Sequence, residues 1–320
     1  MVEKIRKLVN LIKKGNGRIA LVSHISPDGD AVASLTGFYL FLKKVGKDVD
    51  AVLKDDVPYF LDFVPGIMEI KKNFDGKYDL IFLLDASGFE RTGFELPPPA
   101  PLIIRIDHHI SGKVYSEYDL IIPEAPSVGS LILKIIREYD EKLLDQDIKI
   151  ALYTALLTDT ASFRHANSFR WAFEDAHYLV SNGLDVTHIA SMVFERKHLK
   201  TYKLLERALS TLTLDGNIGY IVIRKTFFEE VGANPEEIQG FVSYPLSIIG
   251  ADVGVRFSEH QENFWRISLR GKGKVNLALV AEELGGGGHF NAAGCRLMGR
   301  EHEVVQKVLD TIRKYMKKSP

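Results

Sequence analysis

Three short apolar runs constrain this chain more than any other feature: IALVS at 19–23, DLIFLLD at 79–85 and LIIRID at 102–107. Each is too short for a helix, is bounded by turn residues, and reads as a buried strand. Helical patterns separate them. Val2, Ile5, Leu8, Val9 and Ile12 repeat at helical spacing and stop at Gly15 to Gly17, and a second helical stretch runs from about Ala31 to Val45 before Gly46. With DVDAVL as a further strand, the alternation predicts an α/β domain built on a mainly parallel sheet. In such a sheet the ligand side lies at the carboxyl ends of the strands.

Those ends carry the chemistry. His24, Asp28 and Asp30 follow the first run, Asp85 ends the second, and Asp107, His108 and His109 close the third. Asp159 comes later, near the end of a predicted helix in DIKIALYTALLTDTASF. An acid cluster after a strand also serves as an N-cap and turn, and Asp85 has the same alternative as a cap. Two imidazoles beside an acid seldom serve packing, and a carboxylate inside an apolar helix needs a partner. Carboxylate oxygens and imidazole nitrogens suit hard to borderline divalent cations. A pair of such ions roughly 3.5–4 Å apart needs a bridging carboxylate. Spacing alone does not choose the bridge.

At 320 residues the chain exceeds the usual single-domain size. The texture changes after Thr211 to hairpin-like strands, a helix at 275–284, the loop ELGGGGHFNAAGC and a last helix from Glu301. The expected division is 1–190 for the first domain, 191–212 for a helical linker and 213–320 for a smaller α/β domain. In the latter, Gly286, Gly287 and Gly288 leave backbone N–H groups open to an oxyanion, with His289 and Arg270 as further phosphate donors. A flexible helix stop is the other reading of that glycine run. Net charge is −1, which excludes a broad basic surface for long duplex nucleic acid; any nucleic-acid ligand is small or held by a local patch. A single cysteine, Cys295, excludes an intramolecular disulfide and fits a reducing cytosol. The N-terminal segment is too charged for a signal peptide, and no apolar run approaches the roughly 20 residues of a membrane span. A cytoplasmic protein without membrane contact is expected.

The segments SHISPDGDAVAS, LLDAS, IDHHIS, LLTDTASFRHAN, SLRGKGKVN and GGGGHFNAAG, in this order, resemble the DHH phosphoesterase superfamily. The likeness is to its small RecJ-like members with a DHH-associated C-terminal domain: the nano-RNase or oligoribonuclease–pAp phosphatase type and the stand-alone cyclic-dinucleotide phosphodiesterases. The resemblance implies an active cleft between the two domains and two divalent ions, usually manganese. One would be held by His24, Asp28 and Asp85, the other by Asp30, Asp85, His108 and Asp159, with Asp85 as the bridge. Asp107 would orient a neighbouring histidine, His109 would face the phosphate, and Arg164 would lie near the cleft. Arg270, Gly286 to Gly288 and His289 would grip the far end of the substrate. Gly271 stands where relatives usually have serine, and NSFRWAF lacks a proline common in relatives. The implied activity is hydrolysis of short RNA or DNA oligonucleotides, including linear pApA, to mononucleotides, together with dephosphorylation of pAp. The alternatives are a stand-alone cyclic di-AMP phosphodiesterase, an inorganic pyrophosphatase and a non-catalytic nucleotide binder. GGGGHFNAAG argues against the pyrophosphatase, and six filled ligand positions argue against the binder. Dimers are common among such relatives. His165, His177, His188, His198, His260 and His302 are expected on the surface or in packing.

Overall fold

The computed structural model describes residues 1–164, 168–181 and 183–316, apart from the side chains of Glu236 and His289. The chain divides into two compact units, Met1–Arg196 and Lys197–Pro320. The division falls inside the stretch expected to be a linker.

The first unit holds a parallel sheet of β1 (Ile19–Val22), β2 (Val49–Val52), β3 (Ile70–Lys71), β4 (Leu80–Leu84), β5 (Leu102–Asp107) and β6 (Leu120–Ile121), ordered β3-β2-β1-β4-β5-β6. Its helices are α1 (Val2–Lys14), α2 (Gly29–Lys44), α3 (Val128–Asp140), α4 (Gln146–Asp159), α5 (Phe169–Val180) and α6 (Val186–Phe194). Every residue of β1 and β4 is buried, because both sheet faces are covered. Alternate side chains divide between two cores. Ile19, Leu21, Phe82, Leu84, Ile104 and Ile106 pack with the helices. Ala20, Val22, Ile81 and Leu83 pack on the other face around Phe89, Phe74 and Phe94. The register aligns the strand ends: Val22 lies beside Leu83, and Leu84 beside Ile106. The chain leaves β1 toward β2 on one side, while β4 lies on the other, so the sheet reverses direction between β1 and β4. In parallel sheets of this kind, ligands bind at the carboxyl ends beside such a reversal of strand order.

The second unit contains α7 (Leu199–Leu209), β7 (Thr213–Asp215), β8 (Ile218–Ile223), α8 (Lys225–Val231), α9 (Ser243–Ser247), β9 (Val253–Gln261), β10 (Phe264–Gly271), α10 (Leu277–Glu283), β11 (Gly287–His289), β12 (Ala292–Met298) and α11 (Glu301–Met316). Its sheet runs β11-β12-β10-β9-β8-β7, antiparallel except where β8 meets β9. Val255, Phe257, Trp265, Ile267, Leu269 and Cys295 build its core with Leu277 and Val280 of α10 and Val308 and Ile312 of α11. Behind β8, Ile221 and Ile223 pack with Leu204, Ala208, Phe228 and Phe241.

One local expectation needs correction. The glycine run is not all loop, since Gly287 to His289 pair with β12 as a strand. A Cβ at Gly286 would lie 2.1 Å from Gly294 O, and one at Gly288 2.5 Å from Ala292 O, so those glycines admit the chain's own backbone. A Cβ at Gly287 meets nothing within 4 Å, which leaves it as the open position. Gly29 is the first residue of α2, directly after the N-cap Asp28. A Cβ there would lie 2.3 Å from Thr158 Oγ1, so its bareness lets α2 and α4 approach closely.

Candidate metal centre

Asp85 occupies the carboxyl end of β4 with φ at +52°, a left-handed backbone unusual for a residue with a side chain. Its carboxylate is 3% exposed, and Oδ1 accepts no hydrogen bond among the described residues. Oδ2 lies 3.6 Å from His24 Nε2. Oδ1 lies 3.7 Å from His108 Nε2 and 3.5 Å from His109 Nδ1. Two donors each about 2.0–2.2 Å from one ion are roughly 3–4 Å apart, so these separations suit a shared cation better than hydrogen bonds.

The other acids arrive from the flanking helices. Asp28 is the N-cap of α2 and accepts from Ala31 N at 3.0 Å, so the capping reading of this acid is correct as far as it goes. His24, Asp28 and Asp85 nonetheless offer donor atoms within 4.8 Å of one another. Asp30, His108 and Asp159 form a second such group. Asp85 recurs in a third with Asp107, His108 and His109. Asp30 is buried against the start of α3 and accepts N–H from Val128 at 2.6 Å and Gly129 at 3.1 Å. Both imidazoles are turned by their second nitrogen: His24 Nδ1 lies 2.8 Å from Ile25 O, and His108 Nδ1 lies 3.1 Å from Ala125 O. Donation to a carbonyl through Nδ1 presents Nε2 to the centre.

The centre's electrostatics ask for positive charge. Burial pushes Asp30 well above the usual carboxylate range, with Asp85 and Asp159 adding to it. Burial also raises Asp159 to about 7, where His108 opposes the rise and Asp85 reinforces it. For His24, burial works against protonation, but Asp85 and Asp28 override it and lift the imidazole to about 9. An orphaned buried oxygen, a mixed oxygen–nitrogen donor set and this excess of negative charge together fit divalent metal.

Asp107 stands apart from that set. It is fully buried; one oxygen accepts from His109 N at 2.9 Å and lies 2.7 Å from His109 Nδ1. The other oxygen accepts from Arg105 Nε at 2.8 Å. Arg105 is itself buried and reaches on to Ser111 O at 2.7 Å and His109 O at 3.0 Å. Sequence reasoning passed over Arg105, although a guanidinium two residues before a buried acid on one strand face is a readable signal.

Arg164 is exposed and bonds back to Ala161 O at 2.8 Å; no hydrogen bond or ion pair among the described residues joins it to the acids. His165 lies outside the described residues, as does the side chain of His289. Arg270 is the penultimate residue of β10 in the second unit, exposed and opposite Ala292. At Gly271 a Cβ would press to 3.1 Å from Leu277 Cδ1, so the serine usual in relatives would crowd α10 here. No helix among the described residues is long and apolar enough to cross a membrane.

Comparison with known proteins agrees with this anatomy. Residues 18–158 match the family model described as DHH family, N-terminal domain, and residues 217–318 match the DHHA1 domain. A Thermus thermophilus protein named bifunctional oligoribonuclease and PAP phosphatase NrnA is 27% identical over 97% of this chain and 94% of its own. A Bacillus subtilis protein of the same name is 25% identical over 87% of this chain and 89% of its own. The crystal structure of an exopolyphosphatase-related protein from Bacteroides fragilis superposes with a TM-score of 0.86 at 26% identity, covering 99% of this chain and 97% of that one. With both family models matched in order and the acids and imidazoles gathered at the strand ends, this chain carries a DHH-family N-terminal domain followed by a DHHA1 domain.

Proposed function

We propose that the protein is a phosphodiesterase that cleaves short oligonucleotides, including linear dinucleotides such as pApA, to mononucleotides and removes a phosphate from pAp. The observation that carries it is Asp85, whose two oxygens face different imidazoles at 3.6 and 3.7 Å. In this reading His24, Asp28 and Asp85 hold one divalent ion, and Asp30, Asp85, His108 and Asp159 the other, with Mn²⁺ as the metal. Two such ions supply Lewis acidity toward the phosphoryl oxygens and an activated water at neutral pH.

The chain's own groups do the rest. Burial opposes charge on His109, but Asp107 and Asp85 raise it to about 9. With Nδ1 held by Asp107, it donates through Nε2 to a phosphoryl oxygen or to the leaving oxygen. Arg105 fixes Asp107 and thereby the ring. Arg270, Gly287 and His289 would take a terminal phosphate, and Arg164 would contribute near the scissile end. The NrnA relatives, matched over nearly their whole length, support the substrate class. A cytoplasmic location and a homodimer belong to the same reading and rest on the resemblance.

The test is a product panel with Mn²⁺: pApA, an RNA pentamer, cyclic di-AMP, pAp and pyrophosphate under matched conditions. Fastest turnover of pApA and the pentamer, with mononucleotide products, is expected. Consumption of pyrophosphate or cyclic di-AMP alone would sink the substrate assignment.

A further inference from the structure

The second unit's sheet carries a face that the metal chemistry does not use. β10 alternates: Trp265, Ile267 and Leu269 are buried, while Arg266, Ser268 and Arg270 point to the opposite face. The register sets Arg296 of β12 directly across from Arg266, and Arg256 of β9 directly across from Ser268. Four arginines therefore share one face of three strands, and Arg266, Arg270 and Arg296 are exposed on it. In a chain of net charge −1 this is a strong local concentration.

Like charges directly opposite on antiparallel strands destabilise the pair. Nothing among the described residues offsets the cost here. Arg266 is pushed down by burial and then by Arg296, and Arg256 is pushed to about 10 by burial, Arg270 and Arg266, with no carboxylate acting on either. Neighbouring His260 is driven to about 4 by burial and by Arg266, Arg256 and Arg296. Arg256 is the anchor of the group, tied by Nη1 to Ile238 O at 3.0 Å and by Nη2 to Ser268 Oγ at 2.7 Å. The exposed pair beside it is a preformed double fork with no ion-pair partner among the described residues.

We propose that this face binds the phosphodiester backbone of single-stranded nucleic acid, with Arg266 and Arg296 gripping one phosphate about 13 Å along β10 from Arg270. Planar guanidinium forks match phosphate geometry, and on β10 and β12, where Arg266, Arg270 and Arg296 are exposed, the face admits an extended strand; beside β9 it is covered by Leu246 of α9, which packs on Gly254. The inference rests on the proposed oligonucleotide chemistry for the identity of the polyanion and extends it in length: a strand longer than a dinucleotide reaches a contact that a dinucleotide does not.

The test uses the full-length protein in EDTA, so that nothing is cleaved, and follows fluorescence anisotropy of a labelled twelve-nucleotide RNA and of pApA over a range of salt. Arg266→Gln with Arg296→Gln should weaken the twelve-mer by about fivefold to tenfold and reduce its salt slope by about 1, which brings the two affinities together. Arg296→Glu should weaken the twelve-mer further while the melting temperature holds or rises, because a cross-strand pair with Arg266 replaces a repulsion. That combination separates a lost site from a damaged fold. Unchanged affinity and slope in the double glutamine variant would overturn the proposal, as would a poly-glutamate peptide that displaced the RNA as well as unlabelled RNA does. Failure of the hydrolysis panel leaves this binding readout intact, so the two readings fail separately.

Discussion

Arg105 donates its Nε to one oxygen of Asp107 at 2.8 Å, and Asp107 turns its other oxygen to His109, 2.7 Å from Nδ1. Both Arg105 and Asp107 are buried, so the pair acts away from water. Burial alone would raise the Asp107 carboxyl; His109 and Arg105 instead hold it at about 2. The guanidinium also closes the loop after β5 through its bonds to His109 O and Ser111 O.

Arg105→Met should therefore act on stability and on catalysis together. Removing one partner of a buried ion pair leaves an uncompensated charge and costs about 3–5 kcal/mol. Urea denaturation of the metal-free protein measures that loss, and turnover of pApA should fall alongside it because His109 loses its support. Arg105→Lys restores the charge but not the fork, so it should recover stability only in part. A methionine variant as stable as the parent would show that the pair carries no such weight.

Protonation of the metal-free protein's acid and imidazole groups sets a pH dependence whose sign can be worked out. Asp159 titrates near 7 in the fold against an ordinary 3.8, so its contribution falls away as pH rises between those values. His24 and His109 are raised from 6.5 to about 9, so their stabilisation is complete below 6.5 and is lost as pH passes 9. All three slope the same way. The melting temperature of the EDTA-treated protein should decline from about pH 4 to pH 9. Saturating Mn²⁺ should flatten or reverse that decline, since ions replace the protons. A metal-free protein that gained stability across this range would contradict the assignment.

Asp85→Asn separates the metal role from the folding role. Asp85 is among the causes that raise Asp30 and Asp159, so neutralising it should bring both carboxyls down toward their ordinary range in an NMR titration of the metal-free protein. The same change should abolish turnover and weaken both cation sites in a Mn²⁺ titration, because one carboxylate faces both ligand groups. Loss of a single site with the other intact would show that Asp85 does not bridge.

The strand ends were legible in the sequence because β1, β4 and β5 are short apolar runs in a parallel sheet, whose connections leave little choice about which edge collects the acids. Asp159 was legible as a charge in an apolar helix. What stayed hidden depends on contacts across long stretches of chain. Nothing local announces that the N–H groups of Val128 and Gly129 receive Asp30, 98 and 99 residues away. Nor does GGGG reveal that two of its members are bare to admit β12, because glycine suits a loop and a close backbone approach equally. The arginine face shows only once the register sets β10 beside β9 and β12.

Gly29 gives the most direct test of how the helices place the acids. A Cβ at this position would lie 2.3 Å from Thr158 Oγ1 and 2.5 Å from Thr158 Cβ, so Gly29→Ala must separate α2 from α4. Overpacking of this kind costs typically about 1–3 kcal/mol. Asp28 and Asp30 ride on α2 and Asp159 on α4, so the separation should also lower Mn²⁺ affinity. Thr158→Gly in the same chain removes both clashing atoms and should restore Mn²⁺ binding in a calorimetric titration, even though glycine near a helix end lowers the melting temperature. Equal loss of Mn²⁺ affinity in the single and double variants would mean that the bare α2–α4 contact does not set the spacing of the acids.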